Sequence, residues 1–494
     1  MTGRDATGRE AKPGLSPEEV YETIARVRLR LGGTAEAPPE KPRVPVEVPE
    51  AELGGGIHAT VDQAVAAAEA AGEEYRRLGS EIRVAVVASI RRAMVEGAKR
   101  LAAMAHEETG LGRVEDKVRK NLLVATRTPG PEDLEPIIKT GDDGMMLTEM
   151  APMGLIASIT PTTNPTATII NNTIAVLSGG NSLVFNAHPS AKGVSAECVR
   201  LIGRAVLEAG GPPDLVTAIA RPTIETAQAL MRHPAVRVLL VTGGPAVVRE
   251  ALKTDKRAVT AGPGNPPAVV DDTANIEKAA QDIIAGASFD NNIICIDEKT
   301  TIVLRSVADE LLRAMGRHGA RILKEHELRK VERLVFASLG PPNRPGVVNG
   351  KWIGKDAAVI AQAAGVEVDG DPRLLVAEVP AEHSLVWTEQ MMPVMPVVRV
   401  GTVDEAIDLA VRSEHGFRHT ASIHSTNVTT ITRMARTINV SIFIANGPNY
   451  AGLGQGGEGF TSFSIASPSG DGMTRPLTFT RERRISVVGA LRIV

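Results

Sequence analysis

From Leu155 onward, short apolar runs alternate with amphipathic stretches, and this alternation leaves few folds open. Residues 155–160 (LIASIT), 182–187 (SLVFNA), 215–219 (LVTAI) and 236–243 (VRVLLVTG) read as strands, and 165–178, 191–209 and 225–231 between them read as helices. Strands that are apolar on both faces must be covered on both, and strands joined through helices run parallel. The pattern predicts a doubly wound α/β domain. A second series begins near Val269, with a helix over 275–287, a strand TIVL at 301–304, helices between 311 and 333 and a further unit around 397–411. It predicts a second α/β domain.

Ahead of Leu155, two helices are expected between Asp62 and His106, where Val65, Leu78, Ile82, Val86 and Ile90 recur in an Ala-rich background, and a third over 113–126. Residues 137–139 and 145–150, joined across Gly141-Asp142-Asp143-Gly144, read as a β-hairpin with an Asp-Gly turn. Residues 468–494 are rich in Thr, Arg and β-branched side chains, which suits a closing strand at a subunit interface.

The N-terminal stretch Leu15-Ser16-Pro17-Glu18-Glu19-Val20 concentrates helix-start signals. Ser16 suits the N-cap, Pro17 the first helical position, and Glu19 closes a capping box. Val20, Ile24, Val27 and Leu31 follow at helical spacing until Gly32-Gly33, and Pro38, Pro39, Pro42, Pro45 and Pro49 then form an extended, semi-rigid linker. A helix this short needs a partner to be stable. It can dock on its own subunit, or lie apolar face down in a groove of another protein as a recruitment peptide.

Composition excludes several functions. Of 494 residues 43% are hydrophobic, enough to core two or three domains, yet no apolar run is long enough to span a bilayer. The opening MTGRDATGREAK is charged rather than apolar, so no signal or anchor is expected and the setting is cytoplasmic. Two cysteines make no disulfide framework. With 55 basic against 58 acidic residues and 3% aromatics, there is neither a basic field nor a stacking platform for nucleic acid. His415, His419 and His424 lack a Cys or carboxylate set that would complete a metal site, so no metal is expected.

Two distant segments carry chemistry. Ile159-Thr160-Pro161-Thr162-Thr163-Asn164-Pro165 sets an amide at a strand-to-helix turn, and Phe289-Asp290-Asn291-Asn292-Ile293-Ile294-Cys295 sets a cysteine in an apolar run. A thiol with an oriented amide donor is the minimum for acyl chemistry. Taken singly, a cysteine between isoleucines reads as core packing and an asparagine before a proline as a helix cap. Together, and with the lettering TPTTNPT, FNAHPSAK, TAGPGNPPAVV, FDNNIIC and GEGFTSFSIASPSGDG, they resemble the aldehyde dehydrogenase superfamily. Within it the lettering is similar to the CoA-acylating aldehyde dehydrogenases of bacterial microcompartments, of the ethanolamine- or propanediol-utilisation type. The resemblance runs from about Ala51 to Val494.

The resemblance implies an α/β fold of two doubly wound, Rossmann-like domains with a β oligomerisation arm. Behind a targeting helix at 1–32 and a Pro-rich linker at 33–50, it implies an NAD(CoA)-binding domain over 51–262 that includes a hairpin arm at 136–151. A catalytic domain over 263–440 and a return segment with an oligomerisation strand over 441–494 follow. It makes Cys295 the nucleophile that yields a thiohemiacetal and then a thioester, with Asn164 and the Cys295 backbone N–H as oxyanion donors. Thr160, Pro161, Thr162, Gly243, Gly244, Val247 and Gly262 fall at cofactor positions, the helix after Gly243-Gly244 facing the pyrophosphate. Glu389 matches the glutamate that holds the nicotinamide ribose. Asn186 and His188 stand where ordinary members carry a lysine for the adenosine ribose. Gly452, Gly454 and Gly457 spell G-x-G-x-x-G, but no βαβ unit surrounds them and strand-like FTSFSIA follows, so they read as a loop near the site. Cys198 reads as packing. NAD is the implied cofactor, with NADP as the alternative, and coenzyme A the co-substrate.

One departure bears on the product. Hydrolytic members carry a glutamate near Thr260-Ala261-Gly262-Pro263-Gly264 to activate water, whereas this chain has Ala261. Its loss predicts a thiol acceptor, and so conversion of a short-chain aldehyde, coenzyme A and NAD to acyl-CoA. The expected form is a homo-oligomer built on dimers, carried as microcompartment cargo through residues 15–31, which would meet shell or other cargo proteins. Two rivals stand beside it: a hydrolytic dehydrogenase giving the free acid, and a catalytically inactive assembly protein. The aldehyde itself, whether acetaldehyde, propionaldehyde or sulfoacetaldehyde, is left open.

Overall fold

A computed structural model describes residues 48–494, and the helix and most of the linker expected within 1–47 lie outside the described residues. Pro49, the last proline of that linker, precedes a short turn at Glu50–Glu52.

The first sheet has six parallel strands in the order Ile57–His58, Val216–Ile219, Ser182–Asn186, Leu155–Ile159, Val236–Thr242, Arg257–Ala261. Leu155–Ile159 and Ser182–Asn186 are buried at every residue, which is why their sequences show no polar alternation. The helix Pro165–Ser178 is buried along its whole length, and the long helix Ser80–Thr109 packs against it, against Val114–Arg127 and against Lys192–Glu208. Three strands in chain order proceed one way from Leu155–Ile159, and the next two lie on its other side. This reversal opens a crevice beyond the carboxyl ends of Leu155–Ile159 and Val236–Thr242, where α/β sheets bind ligands.

The second sheet has seven parallel strands, in the order Ala320–Ile322, Leu374–Glu378, Val394–Val400, Thr300–Leu304, Pro267–Val270, Thr420–His424, Ile442–Ala445. Ile442–Ala445 is its edge strand, so the return segment expected from 441 begins only after Ala445. The short strand Ala320–Ile322 divides the expected helical region into Arg305–Arg317 and Glu325–Val335.

A third, antiparallel sheet joins Ile137–Gly141, Gly144–Pro152 and Thr480–Val488. Its hairpin corrects the expected Asp-Gly turn. Gly141 pairs with Gly144, leaving Asp142-Asp143 as the loop, and Gly144 takes the positive φ of 122°. The glycine is needed because a Cβ there would lie 2.0 Å from the Val487 carbonyl oxygen. Every residue of Ile137–Gly141 is exposed, and Ile485 and Val488 stand out of the third strand. The expected strand FTSFSIA is also corrected. Only Ile465–Ala466 pairs, with Gly472–Met473, while Ser462 and Ser464 tie the preceding residues by side-chain hydrogen bonds to Thr474 and Asn172. Among the described residues no helix is long and apolar enough to cross a membrane.

Candidate active site

At the crevice the chain leaves Leu155–Ile159 through Thr160–Asn164 before Pro165 opens the buried helix, where a proline forfeits no intrahelical bond. Asn164 occupies the N-cap position, but its side chain makes no capping hydrogen bond. Its Oδ1 instead accepts from Lys120 Nζ at 2.6 Å, and its Nδ2 donates to Thr163 Oγ1 at 3.1 Å. One Nδ2 hydrogen is left for a ligand.

The cysteine arrives differently. After the helix Ile276–Ala287, Asp290, Asn291 and Asn292 take φ of 43°, 56° and 64°, three successive left-handed residues without a glycine. Each costs on the order of 1–3 kcal/mol and persists only where its surroundings compel it. Here they do. Lys117 Nζ lies 3.0 Å from the Asp290 carboxylate, Lys120 Nζ touches the same oxygen, and the Arg113 N–H donates to the other at 2.7 Å. Asn291 donates to the Gly354 carbonyl and to Asp356, both at 2.9 Å. Asn292 donates to the Ala287 and Glu298 carbonyls, and Lys299 Nζ binds its carbonyl and side-chain oxygens, both at 2.7 Å, and the Ile294 carbonyl at 3.1 Å. The two isoleucines before Cys295 are 2% exposed, whereas Cys295 itself is only partly buried. The apolar run thus packs the loop and presents the thiol. Burial pushes that thiol up to about 12, the Glu389 carboxylate adds to the effect and the Lys299 ammonium opposes it.

Gly264 brings the remaining groups together. Its N–H donates to Glu389 Oε1 at 3.2 Å, and a methyl added to it would lie 2.4 Å from the Cys295 carbonyl oxygen and 3.1 Å from His419 Cγ. Burial raises the pKa of Glu389, with Lys299 opposing. Its carboxylate therefore lies buried against the Gly264 loop and is not a solvated surface group. His419 is fully buried, its Nδ1 paired with Thr420 Oγ1 at 2.9 Å and its Nε2 without a partner; burial and Lys299 push it down to about 3, so the imidazole is neutral. Sequence reasoning weighed His419 only as a metal ligand and missed it here. Gly264→Ala should lower kcat about 10²-fold, because displacing a nucleophile by about 1 Å costs that much, and should lower the melting temperature too, because the methyl meets backbone. Steady-state kinetics beside a thermal melt check this, and an unchanged kcat would mean the loop absorbs the methyl.

The other expected cofactor residues line the carboxyl ends of the first sheet. Thr160 Oγ1 and Thr162 Oγ1 are buried with no hydrogen-bond partner. Thr160 N–H meets the Asn186 carbonyl at 3.3 Å, and Pro161 lies between the two threonines. Gly243 N–H donates to the Ala261 carbonyl at 3.1 Å, and Gly244 begins the helix Pro245–Leu252 with no side-chain cap. A Cβ added to Gly244 would meet nothing within 4 Å. Val247 closes on Gly243, whose added Cβ would lie 2.8 Å from Val247 Cγ1. Orphaned hydroxyls and an uncapped helix N-terminus over open space fit a dinucleotide. Gly262 faces Pro468 and packs on the C-terminal segment. Asn186 turns inward, accepting from Thr226 Oγ1 at 2.6 Å and donating to the Thr223 carbonyl at 3.5 Å, so it braces its strand end. His188 is exposed and accepts from Ser190 N–H at 3.2 Å, a local cap. Cys198 is fully buried. His415 is tied to the Trp387 carbonyl at 2.8 Å, and among the described residues no group of three metal-ligating side chains gathers.

Comparison with known proteins adds to this geometry. The family described as "Aldehyde dehydrogenase family" matches residues 47–331 and 371–464. "Acetaldehyde dehydrogenase (acetylating) EutE" of Escherichia coli (strain K12) is 48% identical over 441 residues, 89% of this chain and 94% of that protein. The crystal structure of Rhodopseudomonas palustris propionaldehyde dehydrogenase with bound CoA and an acylated cysteine is 45% identical with a TM-score of 0.86, covering 90% of this chain and all (100%) of that one. A propionaldehyde dehydrogenase from the Clostridium phytofermentans fucose utilisation bacterial microcompartment is 41% identical with a TM-score of 0.86, covering 89% of this chain and 100% of that one.

Proposed function

The chain belongs to the aldehyde dehydrogenase family, and on that premise we propose that it is a CoA-acylating aldehyde dehydrogenase of short-chain aldehydes, with Cys295 as its covalent nucleophile. The observation that carries the reading is the placing of Cys295 by a strained turn that shares an ammonium with Asn164.

The Cys295 thiol gives its proton to solvent, its Sγ attacks the aldehyde carbon, a carbon–sulfur bond forms, and the carbonyl electrons move to oxygen. Asn164 Nδ2 and the Cys295 N–H donate to that oxygen, in a site whose burial strengthens both bonds. Thr160, Thr162, the Gly243-Gly244 helix start and Glu389 would hold NAD, or NADP as the alternative, which would supply a hydride acceptor for that carbon. The acyl group is left as a thioester on Cys295. The coenzyme A thiol then attacks the acyl carbon, the bond to Cys295 breaks, and the thiol proton passes to the departing Cys295 sulfur, whose burial favours the protonated thiol. Ala261 leaves the first sheet's edge without a carboxylate to activate water, which favours acyl-CoA over the free acid.

The two parallel sheets divide the work, the first holding the cofactor and the second the nucleophile, across a boundary near Gly262. The exposed strand Ile137–Gly141 and the apolar residues of Thr480–Val488 support a homo-oligomer built on dimers. Kinship to an enzyme of a microcompartment supports the same cargo role here, with residues 15–31 as the recruitment segment.

The test is NADH formation from acetaldehyde and propionaldehyde with and without coenzyme A, with mass spectrometry of the product. CoA-dependent acyl-CoA is expected; CoA-independent acid would overturn the reading.

A further inference from the structure

The helix Val114–Arg127 buries two lysines, Lys117 at 3% and Lys120 at 2% exposure, against the fully buried carboxylate of Asp290. Two ammonium groups crowd one carboxylate in a dry interior, an arrangement that is expensive to build. Only one of the two reaches further. Lys120 Nζ is also 2.6 Å from Asn164 Oδ1, while Lys117 makes no contact with Asn164.

We propose that Lys120 is a positioning residue for the reaction, fixing which way the Asn164 amide faces and tying that amide to the turn that carries Cys295. An ammonium has donors only, so it can be met by the amide oxygen and never by the amide nitrogen. With Oδ1 claimed by Lys120 and one Nδ2 hydrogen by Thr163 Oγ1, the remaining Nδ2 hydrogen has a single direction. The same ammonium grips Asp290, the first left-handed residue of the cysteine turn. Donor and nucleophile come from chain segments far apart in sequence, and Lys120 is the one side chain among the described residues bonded to both Asn164 and Asp290. The inference rests on the reading of Asn164 as the oxyanion donor.

The experiment compares Lys120→Met, Lys117→Met, Asn164→Ala and the double variant Lys120→Met/Asn164→Ala in the full-length enzyme. Lys120→Met should lower kcat about 10- to 100-fold with little change in the aldehyde KM, a fraction of what a lost oxyanion donor costs. It should have almost no further effect in the Asn164→Ala background. Lys117→Met loosens the same turn without a hydrogen bond to the amide, so its loss in kcat should be several-fold smaller than that of Lys120→Met. Equal losses in the two lysine variants, or additive losses with Asn164→Ala, would overturn the proposal and leave the Asn164 role standing. A normal kcat in Asn164→Ala alone would overturn both. If Lys120→Met does not accumulate folded, the charge-neutral pair Lys120→Gln/Asp290→Asn carries the same test. A glutamine can offer Asn164 either its oxygen or its nitrogen, so kcat should still fall, and wild-type turnover in that pair would overturn the proposal.

Discussion

Cys295→Ala is expected to abolish CoA-dependent NADH formation, by about 10⁴-fold or more, as loss of the attacking atom does in other covalent enzymes. No second thiol can substitute, because Cys198 is fully buried in the helix Lys192–Glu208. The loss should belong to chemistry and not to folding. Cys295 is partly exposed and its flanking isoleucines, not its sulfur, fill the core, so the variant should melt within a few degrees of wild type. Mass spectrometry of the intact protein after mixing with aldehyde and NAD should show an acyl adduct on wild type and none on the variant. Residual CoA-dependent turnover at a tenth of wild type would mean that another group carries the acyl chain.

Asp290→Ala should have the largest effect on stability. It removes the carboxylate that Lys117, Lys120 and the Arg113 N–H all address, leaving two ammonium groups buried together. Stripping one partner from such a cluster costs roughly 3–5 kcal/mol. The cluster's own electrostatics agree in direction. Although burial opposes it, the Lys120 and Lys117 ammonium groups hold the Asp290 pKa below the usual range, while burial and then Lys120 bring Lys117 down to about 8. The alanine variant should therefore shift its guanidinium midpoint well below that of Cys295→Ala, followed by circular dichroism. Asp290→Asn, which keeps an acceptor for Arg113, should fall between the two. Equal midpoints for all three would mean that water replaces the carboxylate.

Much of the architecture was readable because local signals and tertiary demands agree. The helix Pro165–Ser178 was bounded correctly at both ends, by proline at its first position and by Gly179-Gly180 after its last. The strands Leu155–Ile159 and Ser182–Asn186 show no polar alternation because both faces are covered. Sequence reasoning missed Ala320–Ile322 and the Phe336–Ser338 with Val347–Val348 pair, too short for any period to register, and also the longer strands Arg257–Ala261, Leu374–Glu378 and Thr420–His424 and the helix Val428–Ile438. The site was half legible. Cys295, Asn164 and Glu389 could be named from motif lettering, but Lys117 and Lys120 could not, since a helix reading VEDKVRKN looks solvated. The available signal was phase: Lys117, Lys120, Asn121 and Val124 lie at spacings of three and four on one face, the same face as the buried Val124. What makes that face interior is Asp290, which reaches it from the other end of the chain.

The turn at Asp290–Asn292 has a consequence for timing. Its three left-handed residues have no local reason to adopt that shape; a free peptide of this sequence would relax elsewhere within nanoseconds. They are held by Lys117 and Lys120 from one lobe, by Gly354 and Asp356 from the other, and by Lys299 a few residues on. The thiol therefore takes its working position only when all of these have met. A nascent or half-assembled chain carries the same cysteine without the turn that presents it, so the proposed acyl transfer awaits the finished fold.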